Sequence, residues 1–171
     1  IRDSMYRVCL ITVSDSSALL GKKDLTGPAV AELLAKAGYQ IVARTVLPDE
    51  RELLAEKMRQ IADGGRADLL LTLGGTGLNE RDVTPEATGE IIEKAVPGFS
   101  ELMRRKSFEV TPNGILSRGI SGIRKHCLII NLPGSPRAAV ENLSFILQPL
   151  AHGLKMLTQS KNDCAHMDAL R

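Results

Sequence analysis

The chain reads Asp68-Leu69-Leu70-Leu71-Thr72-Leu73-Gly74-Gly75-Thr76-Gly77 near its middle, an apolar run that leads directly into a glycine-rich turn. A short continuous apolar run is typical of a strand that a parallel sheet buries on both faces. Glycines after such a strand allow backbone N–H groups to approach a phosphate. The turn lacks the Gly-Lys-Ser/Thr of a P-loop and also the G-x-G-x-x-G pattern. We therefore predict a parallel sheet with an anion-binding turn, the alternative being a purely structural turn.

Strand and helix patterns alternate on both sides of this stretch. Further strands are predicted at residues 6–13, 41–47 and 128–132. Helices are predicted to begin at Thr26, Asp49, Thr84, Phe99 and about residue 137, the last ending near residue 157. Alternation at this spacing implies right-handed crossovers between parallel strands. We therefore predict an α/β fold, a three-layer sandwich in which helices cover both faces of a mainly parallel sheet.

Length and composition favour one globular domain. The 171 residues are 43% hydrophobic and 25% charged, which is close to the average of soluble proteins. At about 150 residues per domain, the length predicts a single domain. We assign residues 1–157 to this α/β domain and residues 158–171 to a polar C-terminal tail, while residues 109–125 show no clear pattern.

Charge and aromatic content argue against nucleic-acid and membrane partners. The net charge is only +2, and the chain has no Trp, two Tyr and three Phe, so it offers neither a strong field nor a base-stacking platform. No apolar run approaches the roughly 20 residues that cross a bilayer. The spacings of the three cysteines match no zinc or redox motif, which favours free thiols in a reducing compartment. We therefore predict a cytoplasmic protein.

The unusual segments of the sequence all follow predicted strands. They comprise residues 14–28, 47–50, 74–86 and 131–136. Ligands of parallel sheets bind beyond the carboxyl ends of the strands, so these loops should meet at one rim. Thr26-Gly27-Pro28 and Ser135-Pro136 each open a helix there, and a helix N-terminus favours anions. For Ser135 and Pro136, helix capping alone is an alternative explanation.

Several carboxylates share this predicted rim, namely Asp15, Asp24, Asp49, Asp82 and Glu86. Carboxylates repel phosphates unless a divalent cation lies between them, and Mg²⁺ bridges one or two carboxylates to substrate phosphates. Asp49 is also a good helix N-cap, and Glu86 complements a helix dipole, so both have structural alternatives. Asp82 precedes the predicted cap Thr84 and is explained less well by capping. Which carboxylate binds the metal is left open.

The remaining polar residues of the rim give weaker signals. Arg81, Arg118 and Lys125 could neutralise phosphates, although each is individually typical of a solvated surface charge. The serines that follow the first strand have no partnered histidine, because all three histidines lie late in the chain. Nucleophilic triad chemistry is therefore disfavoured.

Six blocks of sequence together resemble the MogA/MoaB family of molybdenum-cofactor biosynthesis, to which the G domain of gephyrin belongs. They are Ser14-Asp15 with Gly21, Asp24-x-Thr26-Gly27-Pro28, Leu47-Pro48-Asp49-Glu50, Gly74-Gly75-Thr76-Gly77, Arg81-Asp82-Val83-Thr84-Pro85-Glu86-Ala87 and Asn131-Leu132-Pro133-Gly134-Ser135-Pro136. The resemblance covers residues 6–157 in the family's order. Thr26 departs from the serine of many members but keeps the hydroxyl.

The resemblance implies an α/β homotrimer with molybdopterin adenylyltransferase activity. Such an enzyme transfers AMP from Mg-ATP to the terminal phosphate of molybdopterin, releases pyrophosphate, and passes its product to a metal-insertion protein of the MoeA type. The implied catalytic and metal-binding residues are Asp49 and Asp82. The implied nucleotide-binding residues are Gly74, Gly75, Thr76, Gly77, Asn131, Pro133, Gly134 and Ser135. The implied pterin-side residues are Ser14, Asp15, Asp24, Thr26, Ser117 and Arg118.

Two other functions are compatible with these residues. One is a MoaB-like protein that binds molybdopterin without catalysis, although intact Asp49 and Asp82 count against it. The other is nucleotide hydrolysis of the CinA type, on a related domain.

Overall fold

The computed structural model describes residues 5–168, with side chains described through Gln159. Six strands form one sheet in the order β2-β1-β3-β6-β5-β4. The strands are β1 Arg7–Val13, β2 Gln40–Leu47, β3 Leu69–Leu73, β4 Lys94–Ala95, β5 Ser121–Arg124 and β6 Cys127–Leu132. The first four in spatial order are parallel, while β5 and β4 run antiparallel to their neighbours. The predicted mainly parallel sheet is confirmed.

Helices connect the strands and cover both faces of the sheet. They are α1 Asp15–Leu19, α2 Thr26–Lys36, α3 Arg51–Asp63, α4 Thr84–Ile91, α5 Gly98–Val110 and α6 Pro136–Asp168, with a 3-10 turn at Pro112–Leu116. Leucines and valines of α2 and α6 pack on one face, and α3 and α4 pack on the other. The predicted three layers are confirmed. No helix of residues 5–168 has the length and apolar character needed to cross a membrane.

The sheet separates two apolar cores. Every residue of β3 is buried, as the continuous apolar run predicts. Leu69 and Leu71 face the core beneath α2 and α6, whereas Leu70 faces the core beneath α3 and α4. Because neighbouring residues of a strand point to opposite faces, one unbroken leucine run supplies both cores. Burial on both faces therefore fixes the position of β3 between the two cores and its register in the sheet.

The short elements α1 and β4 were not predicted, and two further parts of the chain differ from the prediction. Helix α6 extends to Asp168, so the helix end predicted near residue 157 is wrong. No Gly or Pro interrupts residues 158–168, and polarity alone does not end a helix. Within residues 109–125, which showed no clear pattern, the structure has the 3-10 turn and β5. These pieces are too short to show a period.

Strand order explains why the loops gather at one edge. The chain leaves β1 for β2 on one side and then crosses to β3 on the other side of β1. Loops that follow β1 and β3 therefore diverge, and the crevice between them is the usual ligand position in such sheets. Val13 pairs with Leu47, and Leu73 pairs with Leu132, so the parallel strands end at the same level.

Candidate functional site

A cleft of about 630 Å³ lies at the carboxyl edge of the sheet. The loops after β1, β2, β3 and β6 all contribute to its lining. The predicted site residues that line it are Ser14, Asp15, Asp24, Thr26, Asp49, Gly74, Gly75, Asp82, Gly134 and Ser135. Most of the predicted site is thus brought together in one place.

Two glycine loops form the floor of this cleft, backbone against backbone. Gly74 and Gly75 have φ values of 112° and 67°, in a region that side-chain-bearing residues rarely adopt. A Cβ on Gly134 would stand 3.2 Å from the Gly74 Cα, and the Gly74 N–H donates to the Leu132 carbonyl at 3.0 Å. The Thr26 hydroxyl fastens the second loop by donating to the Gly134 carbonyl at 2.6 Å. Thr26 therefore positions the loop.

Asp49 does not cap a helix. Helix α3 begins at Arg51, with Glu50 at the N-cap and no side-chain bond there. The Asp49 Oδ2 instead accepts the Asp15 N–H at 3.1 Å, and Asp15 Oδ1 accepts the Asp49 N–H at 2.9 Å. Burial raises the pKa of Asp49, helped by the nearby charges of Asp15 and Asp82 and opposed by the Asp15 N–H. The capping alternative is therefore wrong, and Asp49 Oδ1 keeps no hydrogen-bond partner among the described residues.

Asp82 presents a second free oxygen to the cleft. Its Oδ2 accepts the Asn79 N–H at 3.0 Å, which leaves Oδ1 without a partner in the described part of the chain. The predicted cap Thr84 instead lies inside α4, after the N-cap residue Val83. The buried Thr84 Oγ1 has no hydrogen-bond partner among residues 5–159. Asp49 and Asp82 are thus the two rim carboxylates with an uncommitted oxygen.

Both carboxylate oxygens of each of the other three rim residues are already hydrogen-bonded or ion-paired. Asp24 Oδ1 accepts the N–H groups of Thr26 and Gly27, both at 3.0 Å, and its Oδ2 accepts the Thr12 hydroxyl at 2.8 Å. Asp24 thereby occupies the N-terminus of α2, so the prediction that this helix end receives a ligand is wrong. The Arg118 guanidinium lowers the pKa of Glu86, with which it forms an ion pair.

Asp15 is neutralised in the same way by Arg81. The Arg81 Nη2 lies 2.9 Å from Asp15 Oδ1, and this guanidinium lowers the pKa of Asp15. Neither Asp15 nor Glu86 therefore keeps the free charge that the sequence interpretation assumed.

A few predicted site residues lie elsewhere. Thr76, Gly77 and Arg118 do not line the cleft. The Arg118 side chain donates to the carbonyls of Gly77 and Asp82, each at 2.7 Å, in addition to its ion pair with Glu86. Arg118 is thus committed to holding the loop after β3 and is not available as a free phosphate ligand.

Ser117, Asn131 and Pro133 line a second cavity of about 210 Å³. The Asn131 amide donates to the hydroxyls of Thr72 and Thr88 at 2.8 and 2.9 Å. Its carbonyl oxygen accepts the Ile120 N–H at 3.1 Å. All polar atoms of this side chain are hydrogen-bonded inside the protein, where Asn131 joins β3, α4 and Ile120, the residue before β5.

Comparison with known families settles the relationship. A family model described as a probable molybdopterin binding domain matches residues 9–153. The chain belongs to this family.

Curated relatives and solved structures agree with this assignment. Molybdopterin adenylyltransferase of Helicobacter pylori strain J99 is 37% identical over 155 residues, covering 86% of this chain and 85% of that protein. The Escherichia coli K12 protein of the same name is 38% identical over 140 residues, covering 80% and 71%. The molybdopterin biosynthesis enzyme MoaB from Thermus thermophilus superposes with a TM-score of 0.86 at 44% identity, covering 91% of this chain and 98% of that one.

Two lysines of the cleft were missed by sequence reasoning. Lys22 and Lys23 line it, and neither forms an ion pair within the described residues. They lie between Gly21 and the cap Asp24, in a loop that the family resemblance had already marked. Counting charges in each strand-end loop would have found them, because an anion site needs cations as well as backbone donors.

The donor set fits a magnesium ion shared with a substrate. The two free carboxylate oxygens of Asp49 and Asp82, which line the cleft, are hard oxygen donors. The orphaned Thr84 hydroxyl is fully buried and does not line the cleft. Within the described residues there is no group of three or more His, Cys, Asp or Glu that could enclose a metal. Mg²⁺ suits such a site because it is commonly held by one or two carboxylates plus substrate phosphates.

Proposed function

We propose that this chain is a molybdopterin adenylyltransferase of molybdenum-cofactor biosynthesis. The enzyme transfers AMP from Mg-ATP to the terminal phosphate of molybdopterin and releases pyrophosphate. The observation that carries the proposal is the pair of carboxylates with uncommitted oxygens, Asp49 and Asp82, above two glycine loops in one cleft. Relatives of this name at 37% and 38% identity support it.

Binding in this cleft rests on positioning and charge. The backbone at Gly74, Gly75 and Gly134 brings no side chain between a phosphate and the N–H groups, and the N-terminus of α6 at Pro136 borders the same cleft. Lys22 and Lys23 add positive charge. These groups hold the reacting phosphates close together, which is the main requirement of nucleotidyl transfer.

Asp49 and Asp82 would hold Mg²⁺, which neutralises charge on the transferring phosphate and reduces its repulsion of the incoming one. The molybdopterin phosphate is ionised at neutral pH and needs no base to activate it. This agrees with a cleft whose described lining contains no histidine. The chain's residues therefore act by binding and orientation.

The pterin side of the site is proposed at Ser14, Asp15, Asp24 and Thr26 on the loop after β1, with Ser117 and Arg118 further away. Asp24 and Thr26 would act there by holding α2 and the Gly134 loop, since their polar atoms are already bonded. The nucleotide side is proposed at the glycine loops and Ser135. Thr76, Gly77, Asn131 and Pro133 would support these loops without touching phosphate.

Assembly, partner and location are proposed from the family resemblance. We propose a homotrimer, and the exposed apolar side chains of Phe108, Val110, Ile115 and Leu116 support a surface that another chain covers. Light scattering during size-exclusion chromatography tests this state. A MoeA-type metal-insertion protein would receive the product, and the buried free thiols of Cys9 and Cys127 support a cytoplasmic site.

One assay separates this function from its alternatives. Purified protein is incubated with molybdopterin and Mg-ATP while pyrophosphate and adenylylated pterin are measured. Pyrophosphate release that requires both molybdopterin and Mg²⁺ is expected. Tight molybdopterin binding without release would favour the non-catalytic MoaB-like function. ATP turnover without pterin would favour nucleotide hydrolysis.

A further inference from the structure

Arg81 holds a carboxylate of the cleft without itself lining the cleft. Its Nε and Nη2 atoms donate to Asp15 Oδ2 and Oδ1 at 3.0 and 2.9 Å, a two-point contact between planar groups. The Arg81 side chain is 57% exposed and Asp15 is 36% exposed, so the pair adds little to the free energy of folding. Arg7, Arg118 and Arg124 make the same two-point contact with Asp68, Glu86 and Asp63. The Arg81 pair differs from these in that its carboxylate, Asp15, lines the cleft.

The contact continues from Asp15 to Asp49. Asp15 Oδ1 accepts both the Arg81 Nη2 donor and the backbone N–H of Asp49, so Arg81 fixes the oxygen on which Asp49 rests. The Asp15 N–H in turn holds Asp49 Oδ2 at 3.1 Å. Two successive hydrogen bonds, from Arg81 to Asp15 and from Asp49 to Asp15, therefore connect the guanidinium to the residue that carries the free oxygen.

Arg81 is also joined covalently to Asp82. Its side chain reaches Asp15 after β1, which is bonded to Asp49 after β2, while its backbone precedes the second carboxylate on the loop after β3. One residue therefore connects Asp49 and Asp82, which come from different loops. If Arg81 released Asp15, nothing among the described hydrogen bonds would tie the Asp82 loop directly to Asp15 or Asp49.

We propose that Arg81 is a positioning residue that sets the separation of Asp49 and Asp82 for a divalent cation. This inference rests on the proposed function, because it assumes that these two carboxylates hold the ion. Arg81 touches neither metal nor phosphate in this role. It acts as an outer partner of the metal ligands, a class of residue whose loss commonly weakens metal binding by about 10- to 100-fold.

Binding of Mn²⁺, followed by its electron paramagnetic resonance signal with and without ATP, tests the inference. Arg81→Gln should weaken Mn²⁺ binding by about 10-fold or more. Arg81→Lys should restore part of the affinity, because it keeps the charge but loses the two-point contact. Arg59→Gln removes an arginine of α3 that pairs with Glu56 of the same helix and Glu90 of α4, away from the cleft, and should bind like wild type.

A cycle with Asp15→Asn separates positioning from a general loss of structure. If Arg81 acts through Asp15, the double variant should bind Mn²⁺ no more weakly than the weaker single variant. Additive losses, or an Arg81→Gln variant with wild-type affinity, would overturn the inference. If Arg81→Gln does not fold, the Asp15→Asn variant provides the test, and wild-type Mn²⁺ affinity in that variant would overturn the inference. Wild-type protein that binds no Mn²⁺ even with ATP would instead count against the proposed function itself.

Discussion

Asp15 and Asp49 each donate a backbone N–H to the other's carboxylate, at 3.1 and 2.9 Å. The exchange joins the loop after β1 to the loop after β2 at the level where both strands end. It also explains how carboxylates can stand close together on one rim. Each accepts a backbone N–H, and the Arg81 guanidinium balances the charge of Asp15 in an ion pair. Asp49 remains as the partly buried carboxylate with an oxygen free for a ligand.

Asp82→Asn should abolish most adenylyl transfer while leaving the fold intact. The amide cannot hold a cation as the carboxylate does, although it can still accept the Asn79 N–H. We expect the rate to fall by about 10²- to 10³-fold, the usual loss for one charge-stabilising group. Glu80→Gln, an exposed carboxylate of the same loop, is the matched control. Pyrophosphate release checks both, and near-wild-type turnover of Asp82→Asn would refute its role.

Gly75→Ala should destabilise the protein more than Gly38→Ala. Both glycines have positive φ, at 67° and 87°, so each alanine incurs about 1–2 kcal/mol of left-handed strain. At Gly75 the added Cβ would also overlap the Thr84 Oγ1, whereas nothing lies within 4 Å at Gly38. Overpacking should add about 1–3 kcal/mol at Gly75 only. Urea unfolding measures the difference. Equal losses in the free energy of unfolding would mean that the loop accommodates the added Cβ without overlap.

Asn131→Leu should cost stability before it affects ligand binding. The substitution leaves the Thr72 hydroxyl and the Ile120 N–H without their amide partner, whereas the Thr88 hydroxyl still donates to the Thr84 carbonyl. Each buried group left unsatisfied costs about 1–3 kcal/mol. Denaturant unfolding should show this loss, with the exposed Asn113→Ala as control. A variant with wild-type stability but lost nucleotide binding would show instead that Asn131 contacts the substrate.

Lys125→Gly should stabilise the protein. Lys125 turns the hairpin between β5 and β6 with a φ of 53°, which costs a side-chain-bearing residue about 1–2 kcal/mol. Glycine removes this strain and loses part of the gain to chain entropy, so about 0.5–1 kcal/mol should remain. The midpoint temperature of thermal unfolding should rise by about 2 °C. Lys155→Gly, in the middle of α6, should lower the midpoint temperature. A lower midpoint for both variants would mean that Lys125 is unstrained.

Cys9 and Cys127 should resist alkylation in the folded protein. Both lie in the core beneath α3 and α4, and burial raises the pKa of Cys127 to about 12 and raises that of Cys9 as well. Only the thiolate reacts, so iodoacetamide at pH 8 should leave both unmodified. Peptide mass spectrometry before and after unfolding in guanidinium measures the labelling. Rapid labelling of native protein would mean that the core opens frequently.

The elements that could be predicted from sequence are those whose local pattern agrees with their burial. The leucine run of β3 and the helical spacing around Val30 and Leu34 each reflect one simple environment, and the structure confirms both. Residues 109–125 were not accessible, because β5 is defined by its partners in the sheet rather than by its own alternation. Tertiary partners also decided the role of Asp49, since a cap and a cross-loop bond require the same residue type.

Within the candidate site, the sequence located the loops better than it assigned their atoms. The ends of parallel strands must meet, so the rim followed from topology alone. Whether a polar group is free depends on partners remote in sequence. Asn131 is saturated by Thr72 and Thr88, and Glu86 is neutralised by Arg118. No motif spacing reports these contacts, which only the folded chain creates.

The cross-loop bonds also constrain how this domain can be recombined with its relatives. Residues 14–28, 47–50 and 74–86 are linked through Asp15, Asp49 and Arg81, whose partners are specific atoms rather than a shared polarity. A chimaera that takes one of these loops from another member of the family has only one of the two partners of each contact. Successful gene shuffling should therefore exchange the three segments as one block, whereas the outer helix surfaces should tolerate exchange piece by piece.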